Sequence, residues 1–153
     1  MTTSRVLLLS LRPRFANAIL SGDKTVELRR RPINAQAESR VILYASSPVM
    51  AVVGTARLAG IDVSDPEAAW QRHHAVLGLE REEFDRYLDG SSAAYMLQLR
   101  DVHQLDEPLL LHRLREDAAF QPPQSFRYVA PSDPARLRRL ARPQDQNDAL
   151  ALW

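Results

Sequence analysis

Cysteine is absent from this chain, and only one of its 20 basic residues is a lysine. The first absence excludes disulfides and thiolate metal sites; it fits a reducing compartment, so a cytoplasmic location is expected. The four histidines, His73, His74, His103 and His112, show no H-E-x-x-H or similar spacing. A zinc enzyme is therefore disfavoured, and neither a metal nor a cofactor is expected. His73 and His74 read as ordinary surface or edge residues. No apolar run approaches the roughly 20 residues of a membrane-spanning helix. Val6-Leu7-Leu8-Leu9 is too short for a secretory or membrane segment, and no membrane partner is expected. Net charge is +1, so no global field draws nucleic acid, and any polyanion must be held by a local patch. Ser-His-Asp, P-loop and G-x-G-x-x-G patterns are all missing.

What is present begins with length: 153 residues, 45% hydrophobic, fit one domain with a real core. The single lysine is Lys24, inside Gly22-Asp23-Lys24-Thr25-Val26-Glu27-Leu28-Arg29-Arg30. Arginine is a planar, permanently charged fork, whereas lysine is a compact ammonium that loses its proton when desolvated. A lysine surviving in an arginine-biased chain marks a candidate point-charge ligand or base.

Hydrophobic periodicity orders the elements. Arg5 to Leu11 is a buried strand, and residues 13–21 form a short helix with Pro13 first and Gly22 at its C-terminus. Lys24 to Arg31 alternates, with Val26 and Leu28 opposite Thr25, Glu27 and Arg29, as a strand with one buried face does. On that parity Lys24 lies with Val26 and Leu28 while Glu27 looks outward. Val41 to Ala45 and Val49 to Ile61 are strands, and Gly54 marks a bulge or a close backbone approach. Asp65 caps a helix from Pro66 to Val76. A helix follows over Glu80 to Leu88, between Gly78 and Gly90, and then a strand from Ala94 to Val102. After a short helical or loop stretch come a strand over Ser125 to Val129 and a basic helix over 134–141. Asp145 onward reads as a loose tail. Five or six mostly sequential strands with few helices predict an α+β fold: a small mixed β-barrel with helices packed outside.

Four segments carry polar groups that a plain barrel does not need. They are the Gly22–Arg31 corner, Tyr44-Ala45-Ser46-Ser47-Pro48, Tyr95, and Gln124-Ser125-Phe126-Arg127-Tyr128. A glycine-led turn beside Lys24 and Thr25 suits a phosphate or oxyanion. Lys24, Arg29 and Arg30 are the candidate phosphate contacts, and Tyr44 or Tyr128 the candidate base stackers. Glu27 is the candidate reader of a base edge or sugar hydroxyl, and Ser46, Ser47, Tyr95, Ser125 and Arg127 complete the binding set. Tyr44 is expected half-buried, with its hydroxyl hydrogen-bonded.

G-D-K-T-V-E-L-R-R after a strand and short helix resembles the signature of the ASCH domain, a branch of the PUA-like superfamily. Ser10-Leu11-Arg12-Pro13, Phe15-Ala16, Tyr44-Ala45-Ser46-Ser47-Pro48, Val53-Gly54, Glu83-Phe84, Asp106-Glu107-Pro108-Leu109 and Phe120 to Tyr128 extend the likeness over about residues 5–130. The resemblance implies a PUA-like pseudo-barrel domain over 1–130, with 131–153 a C-terminal helix and tail outside it. It implies a cleft beside the first helix that binds RNA or a modified nucleotide. It also admits catalysis. One ASCH branch removes the acetyl group from 4-acetylcytidine, with a lysine matching Lys24; its proposed threonine nucleophile falls on Glu27 here, and its glutamate near Glu82 or Glu83. A hydrolase of this kind would use Lys24 as base with Thr25, Tyr44 or Glu83 assisting. A ribonuclease would use Lys24 and Tyr44 for proton transfer and Arg29 for phosphate charge. A third expectation is a protein partner in transcription, contacted by Arg136, Arg138 and Arg139.

Overall fold

The computed structural model describes residues 5–142. The tail expected from Asp145 lies outside the described residues.

Strand alternation sorts the side chains into separate cores. In β1 (Leu7–Leu11), Leu7, Leu9 and Leu11 face the same way as Val41 and Leu43 of β3 (Arg40–Ala45), against Ala16 and Ile19 of α1 (Pro13–Ser21). Leu8, Ile42 and Tyr44 face the other way, onto Leu111 and Leu114 of α4 (Leu111–Asp117) and Leu137 of α5 (Ala135–Leu140). Helices cover both faces of β1, so its sequence runs apolar without alternating. A third cluster joins Val26 and Leu28 of β2 (Val26–Arg29) to Ala69 of α2 (Pro66–His73) and Phe84 of α3 (Arg81–Tyr87).

With β4 (Ala51–Ser64), β5 (Ala94–Leu110) and β6 (Phe126–Tyr128), these strands form one six-stranded sheet, ordered β2-β5-β4-β3-β1-β6. β1 and β3 run parallel, and the other neighbours run antiparallel. The sheet curls into a half-barrel with helices outside, the α+β architecture expected from the pattern of elements.

Local rules explain most boundaries. Gly22 ends α1 at φ +89°, which a residue with a Cβ resists. Asp65 caps α2 by accepting a 3.0 Å bond from the Ala68 amide. The register shifts beside Gly54, and a Cβ there would meet the His103 carbonyl oxygen at 2.7 Å, so the bulge and the close approach coincide.

Several boundaries differ from the sequence pattern. α2 stops at His73 and continues only as a 3₁₀ turn, His74–Val76. β5 runs on to Leu110 instead of ending near Val102. Ala51 and Val52 pair with Leu110 and Leu109 while Gly54 pairs with Gln104, so Leu105 to Pro108 fall in an irregular stretch where a proline costs no ladder bond. β2 spans four residues only, leaving Lys24 and Thr25 in the turn before it and Arg30 beyond it. His73 is not a plain surface residue. Its Nε2 lies 2.7 Å from Asp62 Oδ2, and its side chain is largely buried.

Candidate functional site

The Lys24 corner is built by three elements. The Lys24 amide donates to Ala18 at the end of α1, and the Thr25 amide donates to Val76. The turn after Val76 then crosses over the lysine stem. Gly78, at φ +71°, packs so closely that a Cβ would sit 3.4 Å from Lys24 Cδ. Leu77 supplies a carbonyl that accepts from Lys24 Nζ. The result is a lysine only 1% exposed, with its ammonium 5.2 Å from the Phe15 ring centre.

Because Lys24 precedes the strand, strand parity does not govern it. Its Nζ lies 3.1 Å from Glu27 Oε1, so lysine and glutamate meet at one site rather than pointing apart. Glu27 Oε2 lies 2.8 Å from Arg29 Nη2, an ion pair. That guanidinium also donates to the Ser10 carbonyl at 2.8 Å and to Ser125 Oγ at 2.9 Å. Two cations thus share one carboxylate, and all three side chains are buried. Arg29 Nε is buried with no partner. An unmet buried donor is costly unless something else fills the place. Burial pulls the Lys24 pKa below its ordinary value, Glu27 opposes that pull, and the Arg29 charge reinforces it.

These groups form the floor of a cleft of about 1250 Å³. Tyr44, Ser46, Ser47 and Ser125 line it, as do Arg12, Arg30, Arg31, Arg86 and Arg115. All five of those arginines are exposed. Glu83 also lines it, but two hydrogen bonds from Arg14, at 2.7 and 2.8 Å, engage both of its oxygens. The cleft therefore has a strongly cationic lining in a chain whose net charge is close to zero.

Tyr44 is 2% exposed, more deeply set than expected, and its hydroxyl has no hydrogen-bond partner among the described residues. Burial raises its pKa, so the phenol stays protonated and can donate. Its ring packs at 6.5 Å from Phe120, within the core and not open for base stacking. Ser125 Oγ accepts from Arg29, which leaves its own hydrogen free to donate into the cleft.

The structure keeps four expected site residues out of the cleft lining. Thr25 is exposed in the turn, and Tyr95 lies on β5 opposite Arg29. Arg127 is held by Asp133. Tyr128 donates to the Asn34 carbonyl under the Arg5 guanidinium, which lies 4.0 Å from its ring centre. Sequence reasoning also missed Ser10 and Arg115. Ser10 is a polar break in a leucine run, and its hydroxyl donates to the Pro123 carbonyl at 2.6 Å, tying β1 to the segment that carries Ser125. Arg115 comes from α4, an element the sequence left undefined.

Comparison with known proteins gives concordant results. The ASCH domain model matches residues 9–105. An ASCH domain-containing ribonuclease from Zymomonas mobilis subsp. mobilis is 38% identical over 130 residues, covering 84% of this chain and 87% of that protein. The crystal structure of ASCH from Zymomonas mobilis matches with a TM-score of 0.81 at 35% identity, covering 88% of this chain and 94% of that one. A serine-to-alanine mutant of that protein matches at 0.82 and 33% identity, covering 92% of this chain and 99% of that one. Its tyrosine-to-phenylalanine mutant matches at 0.81.

Proposed function

The chain belongs to the ASCH domain family, and from that premise we propose that its cleft binds single-stranded RNA and cleaves the phosphodiester backbone. The observation that carries this reading is the floor of the cleft. Two buried cations share Glu27, and the Arg29 Nε–H lacks an acceptor. A phosphate in the cleft supplies the missing negative charge. The exposed arginines on the walls favour a polyanion over a neutral nucleoside. The 38% identical relative is named a ribonuclease, which agrees.

The chemistry follows from what each group can do. The 2′-hydroxyl gives its proton to water as its oxygen attacks phosphorus and the bond from phosphorus to the 5′-oxygen breaks, while Lys24 and Arg29 stabilise the charge that builds on the phosphoryl oxygens. Tyr44, neutral and unpartnered, donates a proton to the departing 5′-oxygen. Ser125 donates a hydrogen bond to a phosphoryl oxygen. Tyr44 and Ser125 are separated in this chain by the same interval as the tyrosine and serine substituted in the Zymomonas mobilis mutants. Glu27, with both oxygens held by cations, is a poor nucleophile, which disfavours an acyl-transfer route.

The test is RNA cleavage by the parent and by Tyr44→Phe, with products identified by mass spectrometry. Tyr44→Phe is expected to bind RNA and melt like the parent while cleaving about 100-fold more slowly. No cleavage of any single-stranded RNA by the parent, or full activity in Tyr44→Phe, would refute the reading.

A further inference from the structure

Three arginines stand in one row across three neighbouring strands. Arg40 of β3 is directly opposite Arg57 of β4, and Arg57 is directly opposite Arg100 of β5. Their chain neighbours Val41, Ala56, Leu58 and Leu99 point into the core beneath α1, so by alternation all three arginines face away from it. Arg40 and Arg57 are half-buried and Arg100 is exposed.

Like charges directly opposite on paired strands destabilise a sheet. Here the repulsion is barely relieved. Among the described residues, the one carboxylate in ion-pair contact with the row is Glu38, which meets Arg100, while Arg57 donates only to the Glu38 backbone carbonyl at 3.2 Å. Arg40 has neither an ion pair nor a side-chain hydrogen bond among the described residues. Burial lowers its pKa most, and the neighbouring Arg57 charge lowers it further. A sheet that keeps this row stably folded gains nothing from it unless an anion binds there.

We propose that the row is a second nucleic-acid contact, which grips the phosphate backbone of an RNA strand running out of the cleft. Three adjacent strands span roughly 10 Å, so the row presents a linear track of positive charge rather than a pocket for one small anion. Arg40 shares a strand face with Tyr44 of the cleft and lies about 13 Å from it along β3. Ile42 between them is buried beneath α4, so a strand reaches both by passing around that helix, over a longer path of several nucleotides. This extension rests on the RNA reading of the cleft for the identity of the polymer.

The experiment compares the parent with Arg40→Gln/Arg57→Gln/Arg100→Gln, none of which lines the cleft. The Tyr44→Phe background keeps a long single-stranded RNA intact while its affinity is measured against salt, and cleavage of a trinucleotide is followed separately with Tyr44 present. The triple variant is expected to bind the long RNA at least tenfold more weakly. Its salt slope should fall by about 2, since each phosphate left without its arginine removes about 0.7. Trinucleotide cleavage should be unchanged, and the melting temperature no lower than that of the parent. Arg40→Gln alone, which breaks no bond to a carboxylate, serves if the triple variant folds poorly; it should lower the slope by about 0.7. An unchanged slope and affinity, with trinucleotide cleavage intact, would overturn the row and leave the cleft. A reduced slope with no trinucleotide cleavage by either protein would sink the cleft reading instead. An acidic protein bound through these arginines, with RNA affinity untouched, would also overturn the proposal.

Discussion

Arg29 and Arg127 both contact a buried carboxylate, yet their surroundings differ in kind. Arg127 forms two parallel 2.8 Å bonds to Asp133 and spends its remaining donors on the Gln121 and Tyr128 carbonyls. Asp133 also accepts from the Ala130 amide at 2.7 Å. One cation meets one carboxylate, and every guanidinium nitrogen has a partner. Arg29 shares Glu27 with Lys24 and keeps an unpartnered Nε. Saturation marks a clamp, here one that fixes the chain after β6 so that α5 can pack. A shortage of negative charge at the floor of a cleft is what a bound anion would make good. Residue type does not separate the two, since both sites are arginine beside carboxylate.

The sharpest way to break the contrast is Glu27→Ala. It strands Lys24 and Arg29 as buried cations with no carboxylate between them. Removing one partner of a buried network costs about 3–5 kcal/mol. The variant should unfold at much lower denaturant and lose cleavage. Adding a polyanion should restore part of the stability, because the ligand then supplies the missing charge. A Glu27→Ala protein as stable as the parent would mean that the carboxylate does not hold the two cations.

Arg127→Ala tests the other half. It removes charge-assisted bonds from a partly exposed clamp, so a loss of about 1.5–3 kcal/mol is expected. Cleavage per folded molecule should match the parent, because Arg127 does not line the cleft. Lost cleavage with unchanged stability would return Arg127 to the substrate-binding set.

How much of this was legible in the sequence follows the same division. The fold was readable because local rules agreed with one another. The Gly22 and Asp65 caps, the leucine run of β1 and the Gly54 bulge each point to the observed element. The Lys24 corner was readable because a lone lysine beside a glycine turn is a compositional signal. Its geometry was not. β2 starts two residues later than the alternation suggests, and this brings Lys24 and Glu27 together. Arg127 and Tyr128 entered the expected site only because they neighbour Ser125. Tyr128, three residues on, faces the other way, whereas Arg127 shares the parity of Ser125 and is held away by Asp133, a contact no local pattern announces. Arg115 was illegible because α4 follows a long β5 that the pattern cut short at Val102. The arginine row could not be read at all, since Arg40, Arg57 and Arg100 are far apart in sequence and meet only through register.

The smallest effect is expected at the rim, where Arg14 and Glu83 give the contrast a third case: one cation, one carboxylate, open to solvent. Hydrogen bonds from Arg14, together with the backbone amide of Glu80, hold the Glu83 carboxyl down at about 2, below the usual value of 4.5. A folded-state pKa below the unfolded one means that the contribution is complete above the unfolded value and fades as pH falls from there through the folded value. Melting curves of the parent and Glu83→Gln should therefore differ slightly at neutral pH, converge as pH drops below about 4.5, and coincide only below about 2. The neutral-pH difference should be the least of the three substitutions, because solvent screens an exposed pair. Cleavage should be nearly unaffected, since Arg14 and Glu83 tie α1 to α3 above the lysine and neither neutralises the floor. A Glu83→Gln protein that melts normally but cleaves as poorly as Tyr44→Phe would break this ranking. It would give the Glu83 carboxylate a part in the cleavage chemistry despite its pairing with Arg14.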